Sequence, residues 1–226
     1  MPMKSVTFDL DGTLVDTVAD LAEACRRMLE ELGEPPRSID EIHCFVGKGT
    51  AVLVERCLTH GQPPSAEHLR AGIQAFHRHY AEVNGRMAQV YPGVLHGLAD
   101  FAAAGLKMAI VTNKPGEFTE YLLERLDLLE HFDAIVSGDT TAHRKPHPEP
   151  ILHACRIMGT RPVENLHVGD SKTDIQAARA AGCPVFCVPY GYNEGEPVDS
   201  ADCDALVSDL VAACARLKTI CNSAKT

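Results

Sequence analysis

Two carboxylates stand one residue apart directly after an apolar stretch near the start of the chain. Asp9 and Asp11 follow Val6-Thr7-Phe8 and surround Leu10. Because side chains alternate faces along a strand, the two carboxylates would project the same way if the strand geometry continued. Two like charges this close repel each other unless a cation or a shared proton offsets them. The pair therefore indicates a site for chemistry, and a plain turn at a strand end is the alternative.

Three further candidate groups follow predicted strands downstream. Thr112-Asn113 comes after one strand, Asp170 after another with Asp174 four residues later, and Lys145 lies in a proline-limited loop. A hydroxyl and backbone N–H groups at a helix start form an anion site, which makes Thr112-Asn113 a candidate phosphate-binding group. Asp174 also stands where it can form a helix capping box with Ser171. Each residue has an ordinary structural role when considered alone, so only their coincidence indicates function.

Alternating strands and helices are needed to bring these residues together. The sequence predicts strands at 6–9, 107–112, 134–137, 166–169, 185–188 and 205–207. Between and after them it predicts helices at 94–104, 115–126, 149–158 and 173–181 and a helix at the C-terminus. This alternation is typical of a doubly wound parallel α/β sheet with right-handed crossovers. Ligands bind at the carboxyl ends of the strands in such sheets, which is where all four groups fall.

A helical segment is inserted between the first strand and the rest of the sheet. Apolar residues at three- and four-residue spacing predict helices at 18–32, 38–45, 50–60 and 69–83. Thr17 with Asp20 fits a capping box at the start of the first helix, and Gly33 fits its end. The sequence therefore predicts a core domain of residues 1–16 and 88–226 and an all-helical cap domain of residues 17–87.

Composition limits the partners and the compartment. The 226 residues are 45% hydrophobic, which suffices for one core and a smaller second unit. A formal net charge of −10, without a basic cluster, disfavours nucleic acid as a partner. No apolar run reaches membrane-spanning length, residues 1–5 are too short for a signal sequence, and the nine cysteines lack zinc-site spacing. We therefore expect a cytoplasmic protein with reduced thiols, either a monomer or a small homo-oligomer.

The core motifs resemble those of the haloacid dehalogenase superfamily. The matching residues are Asp9-Leu10-Asp11-Gly12-Thr13, Thr112, Lys145-Pro146, and Gly169-Asp170 with Asp174, in that order. The inserted helices resemble the helical-cap subclass of this superfamily. Two further segments, Phe45-Val46-Gly47-Lys48-Gly49 and residues 190–197, are similar to those of bacterial phosphoglycolate phosphatases. The superfamily resemblance implies a Rossmann-like core with an inserted cap.

The resemblance also implies an Mg²⁺-dependent phosphomonoesterase that acts on a small phosphorylated metabolite, with 2-phosphoglycolate as the leading substrate. Asp9 would attack phosphorus and form an aspartyl-phosphate, while Asp11 would protonate the leaving group and later activate water. Mg²⁺ would be held by Asp9, the backbone carbonyl of Asp11, and Asp170. Lys145 would supply a second positive charge, and Thr112 a hydrogen bond to the phosphate.

The sequence assigns roles to three further residues, two of them with an alternative. Lys48 in the cap has a charge that suits the carboxylate of phosphoglycolate, and a solvated turn lysine is the alternative. Asn113 accompanies Thr112 as a candidate substrate-binding residue. Asp174 either caps its helix only or assists Lys145 or a metal-bound water.

Other functions on the same fold make different demands on these residues. A hydrolytic dehalogenase needs no second acid, so Asp11 disfavours it, and a phosphonatase would have to use Lys48 for a Schiff base. A phosphatase or mutase of sugar phosphates would keep the core motifs and differ in the cap, so it stays open as an alternative. A non-catalytic phosphate sensor would need neither Asp9 nor Asp11.

Overall fold

A parallel sheet forms the core of the protein, and the computed structural model describes it within residues 3–223. Its strands are β1 Ser5–Phe8, β4 Lys107–Val111, β5 Ala134–Val136, β6 Asn165–Gly169, β7 Val185–Cys187 and β8 Ala205–Leu206. All neighbouring strands pair in parallel, in the order β5-β4-β1-β6-β7-β8. The predicted parallel α/β sheet is thereby confirmed, with strand ends within one residue of the predicted ones.

Helices surround the sheet and fill the long insertion after its first strand. They are α1 Val18–Leu32, α2 Ile39–Phe45, α3 Thr50–Leu58, α4 Ala66–Val83, α5 Val94–Ala103, α6 Gly116–Arg125, α7 Glu149–Met158, α8 Lys172–Ala181 and α9 Leu210–Ser223. The helix α1 ends at Gly33 in the left-handed conformation, as predicted. No helix within residues 3–223 combines the length and the apolar character needed to cross a bilayer.

Each face of the sheet buries its own apolar side chains because successive residues of a strand point in opposite directions. In β4, Met108 and Ile110 join a buried cluster with residues of α5, α6 and α9. Ala109 and Val111 join a second cluster with residues of α7 and α8. Both faces are therefore covered by helices, as the doubly wound arrangement requires.

The four helices α1–α4 enclose a separate apolar core. Its large buried side chains, each 1% exposed or less, are Met28, Leu29, Ile42, Phe76 and Tyr80. Phe118 and Tyr192 from outside this segment pack against the same cluster. The helical segment thus has its own core and also rests on the sheet-bearing part of the chain.

A short antiparallel ribbon joins the helical segment to the rest of the chain. Its strands, β2 Val15–Asp16 and β3 Gln89–Val90, pair where the chain enters and leaves the four helices. Two-residue strands are too short to show an alternating pattern, so the sequence did not predict them. The ribbon brings the two crossing points side by side.

The predicted capping box at the start of α1 is wrong. Thr17 makes no side-chain cap hydrogen bond to the helix. Asp20, which is fully buried, accepts hydrogen bonds from the backbone N–H groups of Gly85 at 2.8 Å, Met87 at 2.9 Å and Ala88 at 3.1 Å. These three donors come from the returning segment, and together they offer the buried Asp20 carboxylate more hydrogen bonds than the local cap would.

Candidate active site

The predicted site residues converge at the carboxyl-terminal edge of the parallel sheet. Asp9 follows β1, Thr112 follows β4, Asp170 follows β6, and Lys145 reaches this edge from the loop after β5. Because β1 lies between β4 and β6, Asp9 occupies the middle of the group. This is the edge at which doubly wound sheets bind ligands.

A buried lysine joins two of the carboxylates. The ammonium of Lys145 lies 2.8 Å from Asp9 Oδ1 and 2.7 Å from Asp174 Oδ1, and its side chain is 1% exposed. Burial alone would lower the pKa of Lys145, but Asp174 and Asp9 raise it above its ordinary value, so the lysine is charged. Burial raises the pKa of Asp9 to about 8, against the opposing effect of Lys145. Asp9 is therefore a desolvated carboxyl group held beside a fixed cation.

A buried polar chain continues behind the lysine. Asp174 Oδ1 lies 3.2 Å from His167 Nε2, and His167 Nδ1 lies 2.9 Å from Thr7 Oγ1. Burial lowers the pKa of His167, so the ring is neutral. Since a carboxylate can only accept, Nε2 donates to Asp174 and Nδ1 accepts from the Thr7 hydroxyl. Burial would raise the pKa of Asp174, but Lys145 and His167 hold it well below its usual range.

The sequence left open whether Asp174 caps its helix or contacts Lys145, and in the structure it does both. With Ser171 it forms a capping box at the start of α8. Its other oxygen contacts Lys145. Asp174 therefore fixes the lysine to the end of α8.

The second carboxylate of the opening motif has partners from two parts of the chain. Asp11 Oδ1 accepts a hydrogen bond of 2.7 Å from Thr17 Oγ1 and lies 3.1 Å from the ammonium of Lys114. Lys114 also donates to the Tyr80 hydroxyl of α4 at 2.5 Å. The side chains of Asp11 and Lys114 are 14% and 3% exposed, so this ion pair lies largely away from water.

Thr112 and Asn113 play distinct structural parts. Thr112 Oγ1 accepts a hydrogen bond from the Lys114 backbone N–H at 3.2 Å. The Asn113 side chain exchanges two hydrogen bonds of 2.9 Å with the backbone of Lys145 and donates one of 3.0 Å to the Gly47 carbonyl. Asn113 therefore orients the lysine loop and reaches the helical segment.

Asp170 is held by a set of donors around its carboxylate. Thr13 Oγ1 donates to Oδ1 at 2.8 Å, and the backbone N–H groups of Tyr192 and Asn193 donate to Oδ2 at 2.8 and 3.2 Å. Burial, reinforced by Asp174, raises the pKa of Asp170 to about 6 despite these donors. Its position is thus fixed before any ligand binds.

The cluster of buried carboxyl groups is suited to binding a hard divalent cation. Oxygens of Asp9, Asp170 and Asp174 lie within 4.8 Å of one another, and all three residues are buried. Three carboxylates face the single ammonium of Lys145, and the remaining negative charge calls for a further cation. Asp174 already has two partners on each oxygen, Lys145 and His167 at Oδ1 and the N–H and hydroxyl of Ser171 at Oδ2, whereas among the described residues Oδ1 of Asp170 accepts from Thr13 alone. Asp9 and Asp170 are therefore the better placed carboxylates to hold a metal.

A glycine in the opening motif makes room for Asp170. Gly12 has a φ of 85°, and a Cβ added there would lie 2.7 Å from Asp170 Oδ2. We expect Gly12→Ala to displace Asp170, lowering kcat/KM at least about tenfold and the free energy of unfolding by about 1–3 kcal/mol. Steady-state kinetics and urea unfolding measure both effects.

Gly33→Ala is the matched control for that substitution. Gly33 has a φ of 71°, but an added Cβ would meet nothing within 4 Å. Its substitution should cost only the strain of the left-handed backbone, about 1–2 kcal/mol, and should leave kcat/KM unchanged. Equal losses of activity in the two variants would contradict the role of Gly12.

The structure does not bring Lys48 to the carboxylate group. Its ammonium lies 2.9 Å from Glu194 Oε2, the same oxygen that Arg56 approaches at 3.0 Å. The other oxygen of Glu194 accepts from Thr173 Oγ1 at 2.8 Å. Lys48 therefore helps to tie the helical segment to α8, while its neighbour Gly47 meets the site through the backbone.

A small cavity lies between the carboxylate group and the helices α3 and α4. It encloses about 40 Å³, and the lining residues from the sheet side are Asp9, Asp11, Thr112, Asn113 and Lys114. Among the lining residues of the described chain, Lys114 is the one that carries a positive charge. The cavity opens directly onto both residues of the Asp9–Asp11 pair.

Sequence reasoning missed three buried residues of this site. Lys114 directly follows the predicted anion site, which was a usable signal, but its pairing with Asp11 joins residues distant in the chain. His167 lies within β6, where an isolated histidine has no distinctive pattern. Tyr192, 2% exposed, accepts a hydrogen bond of 2.6 Å from the Thr17 backbone N–H.

The fold and the site define a class of hydrolase, and comparison with known proteins places the chain within it. The model of the haloacid dehalogenase-like hydrolase family matches residues 6–188, so the chain belongs to this family. It is a phosphoric monoester hydrolase of the helical-insertion type.

Individual relatives are similar over nearly the whole chain. The chain is 48% identical to a phosphoglycolate phosphatase of Thiobacillus denitrificans, covering 94% of this chain and 95% of the relative. It is 38% identical to the phosphoglycolate phosphatase of Escherichia coli K12, covering 93% and 92%. A crystal structure of a predicted phosphoglycolate phosphatase from Haemophilus somnus 129Pt superposes with a TM-score of 0.87 at 31% identity, covering 92% and 95%.

Proposed function

We propose that this hydrolase converts 2-phosphoglycolate to glycolate and phosphate through a phosphorylated Asp9. The proposal rests on the buried contact between Asp9 and Lys145. Asp11, two residues along the chain, lines the same cavity as Asp9. The names of its relatives favour this substrate.

In the first step, an oxygen of Asp9 attacks phosphorus while the bond from phosphorus to the ester oxygen breaks. Asp11 gives its proton to that oxygen, so glycolate leaves as an alcohol. A carboxylate and a phosphate charge 4 Å apart repel each other by about 4 kcal/mol at an effective dielectric constant of 20. Lys145 offsets part of this repulsion because its ammonium is fixed 2.8 Å from Asp9.

In the second step, water replaces Asp9 on phosphorus. Asp11, now deprotonated, takes a proton from the water as its oxygen attacks, and the bond between Asp9 and phosphorus breaks. Phosphate leaves, and Asp9 and Asp11 return to their starting states. Thr112 donates a hydrogen bond to the phosphoryl group from its hydroxyl, and Asn113 maintains the lysine loop and the anion site.

The second cation in the proposal is Mg²⁺. Asp9, Asp170 and the backbone carbonyl of Asp11 would hold it, since hard oxygen ligands suit this ion. When bound, it supplies positive charge that offsets the repulsion between the nucleophile and the phosphate. The buried excess of carboxylates over ammonium groups at this edge of the sheet supports this assignment.

We also propose that the helical segment is a cap domain. Its residues 17–87 would close over a core of residues 1–16 and 88–226, whose extreme termini lie outside the described residues. The separate apolar core of α1–α4 and the ribbon at its two crossing points support this division.

The free thiols of the nine cysteines support a cytoplasmic location.

A substrate panel tests the proposed activity. The value of kcat/KM with Mg²⁺ should be highest for 2-phosphoglycolate, the ester in the names of its relatives, and at least about tenfold above that for glucose 6-phosphate, a sugar bisphosphate or a nucleoside monophosphate. Addition of a chelator should abolish activity, and added Mg²⁺ should restore it. A preference for a sugar phosphate would contradict the proposed substrate, and full activity with a chelator would contradict the metal.

A further inference from the structure

We propose that Lys114 is the residue that recognises the substrate carboxylate, and thereby selects 2-phosphoglycolate over neutral esters. This inference rests on the proposed function and adds the specificity-determining residue to it. The sequence alone had indicated Lys48 as the residue that recognises the substrate carboxylate.

Lys114 has the burial and the position that carboxylate recognition requires. It follows the anion site at the end of β4, and its side chain is 3% exposed. Its ammonium lies 3.1 Å from Asp11 Oδ1 and donates to the Tyr80 hydroxyl. A lysine held in a dry cavity makes a stronger ionic hydrogen bond to a ligand than one in water.

The chemistry of the substrate places its carboxylate beside Asp11. In 2-phosphoglycolate the carboxylate is attached to the same carbon that bears the ester oxygen. Asp11 must contact that oxygen to protonate it, and the carboxylate oxygens are only three bonds away from it. Lys114 is in contact with Asp11 and lines the cavity there. Once Asp11 has given up its proton, the charge of Lys114 would also offset the repulsion between Asp11 and the substrate carboxylate.

Tyr80 keeps the ammonium pointed at this place. The ammonium of Lys114 lies 4.6 Å from the centroid of the Tyr80 ring, and Tyr80 is 1% exposed. Because Tyr80 belongs to α4, the cap itself helps to position the cation over the cavity. Recognition of the carboxylate is thus shared between the core lysine and the helical segment.

Lys48 lacks these properties. It is paired with Glu194, its side chain is 44% exposed, and it lies outside the lining of the cavity. An ion pair between an exposed lysine and a substrate carboxylate would contribute little binding free energy, because water screens it. The two lysines can therefore be compared directly by experiment.

The test compares two substrates of nearly equal size. Full-length wild-type enzyme, Lys114→Met and Lys114→Gln are assayed with Mg²⁺ on 2-phosphoglycolate and on 2-hydroxyethyl phosphate, which has a neutral hydroxymethyl group in place of the carboxylate. We expect the ratio of the two kcat/KM values to fall roughly 10- to 100-fold in both variants, the value of one ionic hydrogen bond. Lys114→Arg should recover part of the ratio. Thermal unfolding checks that each variant is folded.

The outcomes separate this inference from the proposed function. If both substrates lose activity equally in Lys114→Met and Lys114→Gln, Lys114 only positions Asp11 and the inference fails. A larger fall of the ratio in Lys48→Met than in Lys114→Met also overturns it. If the wild-type enzyme itself shows no preference for 2-phosphoglycolate, the proposed function fails instead.

Discussion

Replacement of Asp9 by asparagine is expected to abolish phosphate release while the protein stays folded. An amide cannot serve as the nucleophile, and loss of a group that forms the covalent intermediate lowers kcat by roughly 10⁴-fold or more. The fold should survive because Lys145 retains its contact with Asp174. Burial raises the pKa of Asp9, which means that its charge is costly in the folded state, so the variant should be at least as stable as wild type.

Two measurements on Asp9→Asn decide this point together. Released phosphate is measured with saturating 2-phosphoglycolate, and thermal unfolding is followed on the same sample. Turnover within tenfold of wild type would rule out Asp9 as the nucleophile. Loss of activity together with loss of the folding transition would indicate a structural role for Asp9.

Replacement of Lys145 by methionine is expected to cause the largest loss of stability. It leaves Asp9 and Asp174 buried and facing each other without their shared cation. Removal of one partner from a buried ionic group costs about 3–5 kcal/mol. Lys172→Met is the matched control, because Lys172 is an exposed lysine paired with Glu196, and such a pair is worth about 1 kcal/mol or less. Urea unfolding of the two variants measures the difference.

The stability deficit of Lys145→Met should also depend on pH in a defined direction. In wild type, Lys145 holds the pKa of Asp174 below its unfolded value, so this contribution is present at neutral pH and is lost on acidification. In the variant, His167 still donates to Asp174, but without Lys145 burial raises the folded-state pKa values of Asp9 and Asp174 above those in wild type. The folded variant then gains stability relative to wild type as it takes up protons. The deficit should therefore shrink as pH falls from 8 toward about 4, and a constant deficit would contradict the account.

Much of the site was predictable because it follows from the order of strands and the direction of their ends. The residues after β1, β4 and β6 had to meet once the strands were parallel and adjacent. Lys145 was identifiable from its motif, although nothing local indicated that Asp9 and Asp174 would share it. The family resemblance supplied the chemical roles.

The parts that could not be predicted depend on contacts between distant segments. Asp20 had a plausible local partner in a cap, but the returning segment offers three backbone donors to its buried carboxylate, and Asp20 bonds to those. Lys114 meets Tyr80 only because α4 folds back over the sheet edge. Lys48 was assigned by its charge alone, whereas Glu194, far along the chain, pairs with it.

Detection of the covalent intermediate tests the central claim most directly. Wild-type enzyme is mixed with 2-phosphoglycolate and Mg²⁺, quenched in acid during turnover, and digested for mass spectrometry, with a borohydride-treated sample alongside. The account predicts a phosphate adduct on Asp9, and its conversion to homoserine at position 9 by borohydride. Turnover without an adduct, or an adduct on a different residue, would contradict it.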